Sequence, residues 1–176
     1  PFYSHDGRYI LIFNGEIYNY RQLAATYNIH QRTSSDTEVI VELYARYGPK
    51  FLNWINGMFA LVIYDTSTNQ IFIARDRLGV KPLYMHRKGG VITISSEICS
   101  ILKMHGINAF DEVGLRQYRK LRAFYNGRTD YLNVEMFPAG HYMLGNKIIR
   151  YWSLPEINQA PPTDEELLSL ISDSIS

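Results

Sequence analysis

The chain lacks several features that would place it in other classes of protein. It has one cysteine, Cys99, which excludes an internal disulfide and favours a reducing, cytoplasmic location. It has no signal peptide and no apolar run near the roughly 18 residues of a membrane span, so we expect a soluble protein without a membrane partner. Its 18 basic and 17 acidic residues leave a net charge of +1 and no basic cluster, which argues against a nucleic-acid partner.

Metal-binding spacing and internal repeats are also missing. The five histidines do not follow the spacing of a metal site, so no metal is predicted. What is present is typical of one globular domain: 176 residues, 46% hydrophobic and 20% charged. The chain begins at Pro1 without an initiator methionine and ends inside a predicted helix, so we expect a piece of a longer protein.

The most informative segment is Phe-Asn-Gly-Glu-Ile-Tyr-Asn-Tyr at residues 13–20. Residues 9–13 predict a short buried strand, and apolar residues at helical spacing predict a helix over 18–28. Between them, Asn14 and Gly15 are typical of a tight turn. A functional interpretation stands beside the turn, because a side-chain amide next to a glycine N–H supplies two donors suited to an oxyanion.

A second motif is Ser-Asp-Thr-Glu at residues 35–38. It predicts a capping box, in which the Ser35 hydroxyl bonds the N–H of Glu38 and the Glu38 carboxylate bonds back, at the start of a helix over Asp36–Tyr47. A capped surface helix accounts for Ser35 and Glu38 but does not require Asp36. Asp36 is therefore a candidate for binding a substrate ammonium.

The rest of the chain predicts strands followed by helices. Residues 58–65 are apolar on both faces, which predicts a strand covered on both sides. Strands of one antiparallel meander are predicted at 70–74, 83–87 and 91–95. Helices are predicted at 98–104 and 111–121, and a hairpin joins 141–144 to 147–152. Separate runs of strands and helices predict an α+β fold with antiparallel sheets. After a linker at 155–162, Thr163 is predicted to cap a new helix with Glu166 at its third position.

Taken in order, these motifs resemble the glutaminase domain of glutamine-hydrolysing asparagine synthetases. The resemblance covers nearly the whole chain and rests on residues 13–20, 35–39, 56–60, 74–84, 95–98, 137–142 and 151–154. It implies the four-layer αββα sandwich of N-terminal-nucleophile hydrolases, with two antiparallel sheets packed face to face. It also implies a type 2 amidotransferase domain over 1–154 without its N-terminal part, a linker over 155–162, and the start of a synthetase domain over 163–176.

The resemblance also implies a reaction. An N-terminal cysteine thiolate attacks the side-chain amide of glutamine, and its own α-amine acts as the base. The Asn14 amide and the Gly15 N–H would form the oxyanion hole, and Glu16 and Asp36 would bind the α-amino group of glutamine. Ammonia would pass to the synthetase domain of the same polypeptide, a ligase that amidates a carboxylate such as aspartate with ATP and Mg²⁺. No cofactor is implied in this domain, and a homodimer stays open.

The chain departs from this pattern where the nucleophile should be. The N-terminal cysteine, and an upstream arginine for the glutamine carboxylate, are absent, so we expect the 176 residues alone to hydrolyse glutamine negligibly. Cys99 is interpreted as a buried structural thiol. Two other functions stay open: a non-catalytic scaffold, as in β-lactam and carbapenam synthetases, and a glutaminase for another acceptor such as an amino sugar. Arg75-Asp76-Arg77 is either an exposed ion-pair cluster or a segment that orders the region between the two domains.

Overall fold

The computed structural model describes residues 1–156 and 162–175. Its elements, in chain order, are β1 (Phe2–Tyr3), β2 (Tyr9–Ile17), α1 (Tyr20–Thr26), α2 (Asp36–Tyr47), a 3-10 helix (Gly48–Asn53), β3 (Gly57–Asp65), β4 (Gln70–Arg75), β5 (Tyr84–Lys88), β6 (Val91–Ser95), α3 (Ile98–His105), α4 (Glu112–Leu121), β7 (Val134–Met136), β8 (His141–Leu144), β9 (Lys147–Arg150) and α5 (Asp164–Ile175). Within the described residues, no helix is long and apolar enough to cross a membrane.

The strands form two antiparallel sheets, which confirms the α+β class. One sheet has six strands in the order β1-β2-β3-β4-β8-β9, and the other has three in the order β6-β5-β7. The predicted single meander is therefore wrong, because β4 and β5 belong to different sheets. The chain leaves the larger sheet after Arg75, where a tight loop around the buried Asp76 redirects it.

Two hydrophobic clusters lie on opposite faces of the six-stranded sheet. On one face, Phe59 and Leu61 of β3 pack with the apolar residues of α1 and α2. On the other face, Ala60 packs with Met85 of β5 and with Phe137. The prediction that this strand is covered on both sides is thus confirmed. Because α3 contacts the strands β5 and β6, the layers are helices, sheet, sheet and helix, as the resemblance implied.

The segment that carries the Asn-Gly pair is strand throughout, so the predicted turn is wrong. β2 continues to Ile17 and pairs residue by residue with β3, as far as Ile17 opposite Gly57. Gly15 has a packing role: a Cβ on it would lie 2.2 Å from the Met58 carbonyl oxygen. A Cβ on Gly57 would lie 2.1 Å from the carbonyl oxygen of Glu16. The predicted helix over 18–28 is correspondingly shorter and begins only at Tyr20.

Helix α2 has the predicted bounds and the predicted N-cap residue, Ser35, but the predicted capping box is wrong. The Ser35 Oγ accepts a hydrogen bond of 3.2 Å from the N–H of Thr37, and the Glu38 carboxylate bonds other segments instead of reaching back. Glu38 is fully buried, so the surface-helix interpretation is wrong for this residue. Its partners are Arg32 and Thr33 in the loop before the helix and His5, 33 positions away, and none of them belongs to the capping pattern.

At the other end of the chain, the predicted capping box of Thr163 and Glu166 is confirmed. The N–H of Thr163 donates to Glu166 Oε2 over 2.8 Å, and the N–H of Glu166 donates to Thr163 Oγ1 over 3.3 Å, at the start of α5. Most of the predicted linker, residues 157–161, lies outside the described residues. The boundary between the two domains therefore stays a prediction.

Candidate active site

The C-terminal end of β2 places two predicted site residues on one face of the sheet. Side chains alternate along a strand, and Ile12, Asn14 and Glu16 are exposed while Leu11 and Ile17 are buried against the helices. Asn14 and Glu16 therefore project, two residues apart, from the face of the larger sheet that carries Ala60 and turns toward the smaller sheet, and both are exposed there. In the part of the chain that the structure describes, the Glu16 carboxylate has no hydrogen-bond or ion-pair partner.

The N–H of Gly15 points to the edge of β2 that faces away from β3. On that edge the carbonyl of Tyr9 accepts from Ser4, and the N–H of Ile17 donates to Asp36. Hydrogen-bonding direction alternates along an antiparallel strand, so Gly15, two residues before Ile17, has the same direction. β1 covers this edge only as far as Leu11. Among residues 1–156 and 162–175, no strand pairs with the edge at Gly15, which leaves its N–H accessible to a ligand.

Asp36 lies on the same edge, at the first position of α2. Its Oδ2 accepts the hydrogen bond of 2.9 Å from the N–H of Ile17, and its Oδ1 accepts one of 3.3 Å from the Thr37 hydroxyl. A carboxylate at this position is favoured by the partial positive charge of the helix N-terminus. The structure thus brings Asn14, Gly15, Glu16 and Asp36 together at one end of β2, although their roles stay predictions.

A fifth residue of this region, Ser96, had no predicted role. The Asn14 Nδ2 donates to the Ser96 Oγ over 3.2 Å, and Ser96 lies in the bend between β6 and α3. The Asn14 amide therefore spans from the larger sheet to the smaller one. The sequence signal was the Ser-Ser-Glu-Ile motif at 95–98, which supports the resemblance but does not reveal this contact across 82 positions.

Asp76 folds the loop that follows β4, and it is 1% exposed. Its carboxylate accepts hydrogen bonds from the N–H groups of Phe59 and Lys81 at one oxygen and of Leu78 and Val80 at the other, over 2.9 to 3.2 Å. An exposed acidic member of an ion-pair cluster would bond side chains at the surface. The ion-pair interpretation is therefore wrong for Asp76, because this charge satisfies buried backbone.

Arg75 also contradicts the interpretation of an exposed ion-pair cluster, because it is buried and bonds backbone carbonyls. Its guanidinium is buried and donates to the carbonyls of Gly79, Lys81 and Phe137, each over 2.7 Å. Burial lowers the pKa of Arg75 below its usual value, although an arginine keeps its charge at neutral pH. Arg77 donates to the carbonyl of Ile55 over 2.8 Å. These three side chains order the loop of residues 76–81; what that loop does between domains stays a prediction.

Cys99 is exposed, so its assignment as a buried thiol is wrong. It is the second residue of α3, which packs into the protein through the fully buried Ile101. Cys99 and Ile101 are two positions apart, so their side chains are rotated by about 200° about the helix axis. Because Ile101 is buried, Cys99 lies on the solvent side of α3. Within the described residues, no group of three or more His, Cys, Asp or Glu side chains could hold a metal ion.

Comparisons with known proteins show the family to which the chain is similar. A family described as glutamine amidotransferase domain matches residues 1–152. An asparagine synthetase [glutamine-hydrolyzing] 2 of Bacillus subtilis is 34% identical over 89% of this chain and 23% of its own length. The asparagine synthetase B [glutamine-hydrolyzing] of Escherichia coli is 40% identical over 58% of this chain and 19% of its own length. The chain thus spans less than a quarter of these two relatives.

A solved structure shares the fold. The glutamine phosphoribosylpyrophosphate amidotransferase of B. subtilis, complexed with ADP and GMP, superposes with a TM-score of 0.58 at 23% sequence identity. The superposition covers 86% of this chain and 31% of that protein. At this identity the likeness concerns the fold alone, and it confirms the predicted two-sheet sandwich.

Proposed function

Because the chain belongs to the glutamine amidotransferase domain family, we propose that it is the glutaminase part of a longer amidotransferase that resembles asparagine synthetases. The longer protein would release ammonia from glutamine and use it, with ATP and Mg²⁺ in a synthetase domain, to amidate a carboxylate such as aspartate. The observation that carries this proposal is the accessible N–H of Gly15 on the same strand edge as the Asp36 carboxylate.

The site residues take two roles in this proposal. The N–H of Gly15 and the side-chain amide of Asn14 donate to the oxyanion that forms when the glutamine amide is attacked. Glu16 and Asp36 bind the positively charged α-amino group of glutamine. The charges support this division, since two amide donors favour an anion and two carboxylates a cation. The Oδ2 of Asp36 accepts a hydrogen bond from the N–H of Ile17, which fixes the carboxylate. The Oδ1 accepts only the longer hydrogen bond from the Thr37 hydroxyl, so it can also accept one from the ammonium group.

The nucleophile is proposed to be a cysteine thiolate from elsewhere in the polypeptide, since Cys99 is the chain's one thiol and lies on the solvent side of α3. The α-amine of this N-terminal cysteine takes the proton of the thiol, and the resulting thiolate bonds to the amide carbon of glutamine. The protonated α-amine then delivers that proton to the amide nitrogen, the C–N bond breaks, and ammonia departs to leave a thioester. Water then hydrolyses the thioester to glutamate and restores the thiol. An α-amine with a pKa of about 7.7–8.0 exchanges this proton readily at neutral pH.

The test is an assay of the full-length polypeptide that contains this domain. We expect glutamate and ammonia in equal amounts from glutamine alone, and an amidated product when aspartate, ATP and Mg²⁺ are added. Ammonia-dependent amidation without any glutamine hydrolysis would overturn the glutaminase assignment and favour the scaffold. Glutamine hydrolysis with an amidated product from another acceptor would overturn only the choice of aspartate.

A further inference from the structure

A buried carboxylate in the first turn of α2, that of Glu38, holds the segment that leads to Asp36. The Glu38 side chain is 0% exposed and accepts five hydrogen bonds. Two come from the backbone N–H groups of Arg32 and Thr33, over 2.9 and 2.7 Å. The others come from the Arg32 Nε, the Thr33 hydroxyl and the His5 ring, over 3.1, 2.8 and 2.8 Å. One side chain thereby fixes both the loop before α2 and the turn before β2.

The loop between Gln31 and Ser35 closes on itself around this carboxylate. The Gln31 side-chain amide donates to the Ser35 carbonyl over 3.1 Å, and the Ser35 N–H donates to the Thr33 hydroxyl over 3.3 Å. Ser35 directly precedes Asp36, so the backbone that aims the Asp36 carboxylate is fixed from the loop side as well as by the N–H of Ile17. We infer that Glu38 is a positioning residue that holds Asp36 in the geometry required to bind the α-amino group of glutamine. This inference rests on the proposed function.

The ionisation of Glu38 agrees with this role. Burial alone would raise the pKa of Glu38, but the hydrogen bonds from Arg32, His5 and Thr33 outweigh it and lower the pKa to about 2. The carboxylate therefore stays charged at neutral pH and accepts from every donor around it. A glutamine in its place would present an NH₂ group to these donors, leave one of the loop N–H groups unpaired in a buried place, and displace the loop.

Glu42 offers a matched control on the same face of α2. It is one helical turn further on and 5% exposed, and it accepts a hydrogen bond of 2.7 Å from the backbone N–H of His5. Its carboxylate also lies 3.9 Å from the His5 ring. In the described part of the chain it makes no hydrogen bond to residues 31–35. Glu38→Gln and Glu42→Gln therefore both remove a buried charge beside His5, but only the first disturbs the loop.

The experiment compares these two variants in the full-length polypeptide. We expect Glu38→Gln to raise the KM for glutamine about tenfold with kcat changed less than about threefold, because weaker binding of the α-amino group affects ground state and transition state alike. Glu42→Gln should leave KM within about twofold even if it lowers the melting temperature as much. An equal rise of KM in both variants, or none in Glu38→Gln, would overturn the inference.

A second measurement does not depend on catalysis. Hydrogen–deuterium exchange is followed in peptides that contain Ile17, whose N–H bonds Asp36, and in peptides that contain Arg32 and Thr33. We expect Glu38→Gln, and not Glu42→Gln, to accelerate exchange in both. Unchanged exchange at Ile17 in Glu38→Gln would refute the positioning role. If the wild-type protein does not hydrolyse glutamine, the proposed function fails, and the exchange result still decides whether Glu38 holds Asp36.

A milder variant covers the case in which Glu38→Gln does not fold. Thr33→Val removes only the hydroxyl bonds of Thr33 to Glu38 and Ser35 and keeps both loop N–H donors and the buried charge. We expect it to raise the KM for glutamine about threefold, with faster exchange in the peptide that contains Ile17. A folded Thr33→Val protein with wild-type KM and wild-type exchange would count against the inference.

Discussion

The Asn14 side-chain amide donates a hydrogen bond of 3.2 Å to the Ser96 hydroxyl, across the gap between the six-stranded and three-stranded sheets. Asn14 projects from the face of β2 that turns toward the smaller sheet, and Ser96 lies in the bend before α3. The contact restrains the amide through one of its two N–H groups and leaves the other for a ligand. A donor that is already oriented loses little free energy when charge develops on the substrate.

Asn14→Ala should lower kcat for glutamine hydrolysis in the full-length polypeptide by about 10² to 10³, which is the usual cost of removing one oxyanion donor. The measurement is steady-state release of glutamate. Ser96→Ala is the matched control, because it removes only the hydroxyl that orients the amide, and we expect a loss of about tenfold or less. Wild-type kcat in Asn14→Ala would show that the oxyanion is held elsewhere.

Gly15→Ala should destabilise the fold by about 3 kcal/mol or more. The new Cβ would meet backbone atoms of β3, which cannot move aside as the end of a flexible side chain could. The measurement is chemical denaturation. Gly89→Ala is the control: its Cβ would meet nothing within 4 Å, so only the cost of a φ of +57° remains, about 1 kcal/mol. Equal stability losses in the two variants would contradict the close approach of β2 and β3.

Asp76→Asn should lower the free energy of unfolding by about 3 kcal/mol, because an amide nitrogen replaces an oxygen that accepts two backbone N–H groups in a buried place. Thermal and urea denaturation measure the loss. Asp164→Asn, an exposed change in the first turn of α5, should cost about 0.5 kcal/mol. A loss in Asp76→Asn no larger than that of the control would argue against the buried network.

The stability of the protein should depend on pH through Glu38. Its pKa is about 2 in the folded protein against an ordinary value of 4.5, so the unfolded chain takes up the proton first as the pH falls. The contribution of this carboxylate to stability is therefore complete above pH 4.5 and is lost progressively towards pH 2. Urea denaturation of wild type and Glu38→Gln at several pH values should show a difference that shrinks over this range. A difference that stays constant down to pH 2 would contradict the lowered pKa.

Cys99 should react with a thiol reagent in the native protein. It is exposed on the solvent side of α3, so iodoacetamide should label the peptide that contains it without denaturant. Cys99→Ser supplies the control for the labelled peptide and should keep glutaminase activity within about twofold, since this thiol is not the proposed nucleophile. Labelling that requires denaturant would restore the interpretation of a buried thiol.

The sequence was informative where local signals and packing agree. Helix α2 has its predicted bounds because Ser35 caps its start and Gly48, with a φ of +56°, ends it. The Asn-Gly pair misled because its local preference for a turn is outweighed by pairing with β3, more than forty positions away. The burial of Glu38 depends likewise on His5, and a helical pattern alone does not reveal which side of α3 carries Cys99.

Prediction of the site from the sequence was limited in the same way, because its geometry depends on contacts between distant segments. Residue types identified Asn14, Gly15 and Asp36 as candidates, because amides suit an anion and a carboxylate suits a cation, and the family resemblance added Glu16. Whether the N–H of Gly15 is accessible depends on which edge of β2 it faces, and the order of the strands decides that. The bond from Asn14 to Ser96 depends on how the two sheets stack, which no local pattern contains.

The two glycines of the β2–β3 pair have a consequence for how this protein tolerates genetic change. All other amino acids begin with a Cβ, and at Gly15 or Gly57 that one atom meets the backbone of the neighbouring strand. Large or small, polar or apolar, a replacement at either position meets the same obstacle. Steric constraint alone is thus enough to keep glycine at these two positions, and selection should retain both glycines even in a descendant that has lost the proposed activity.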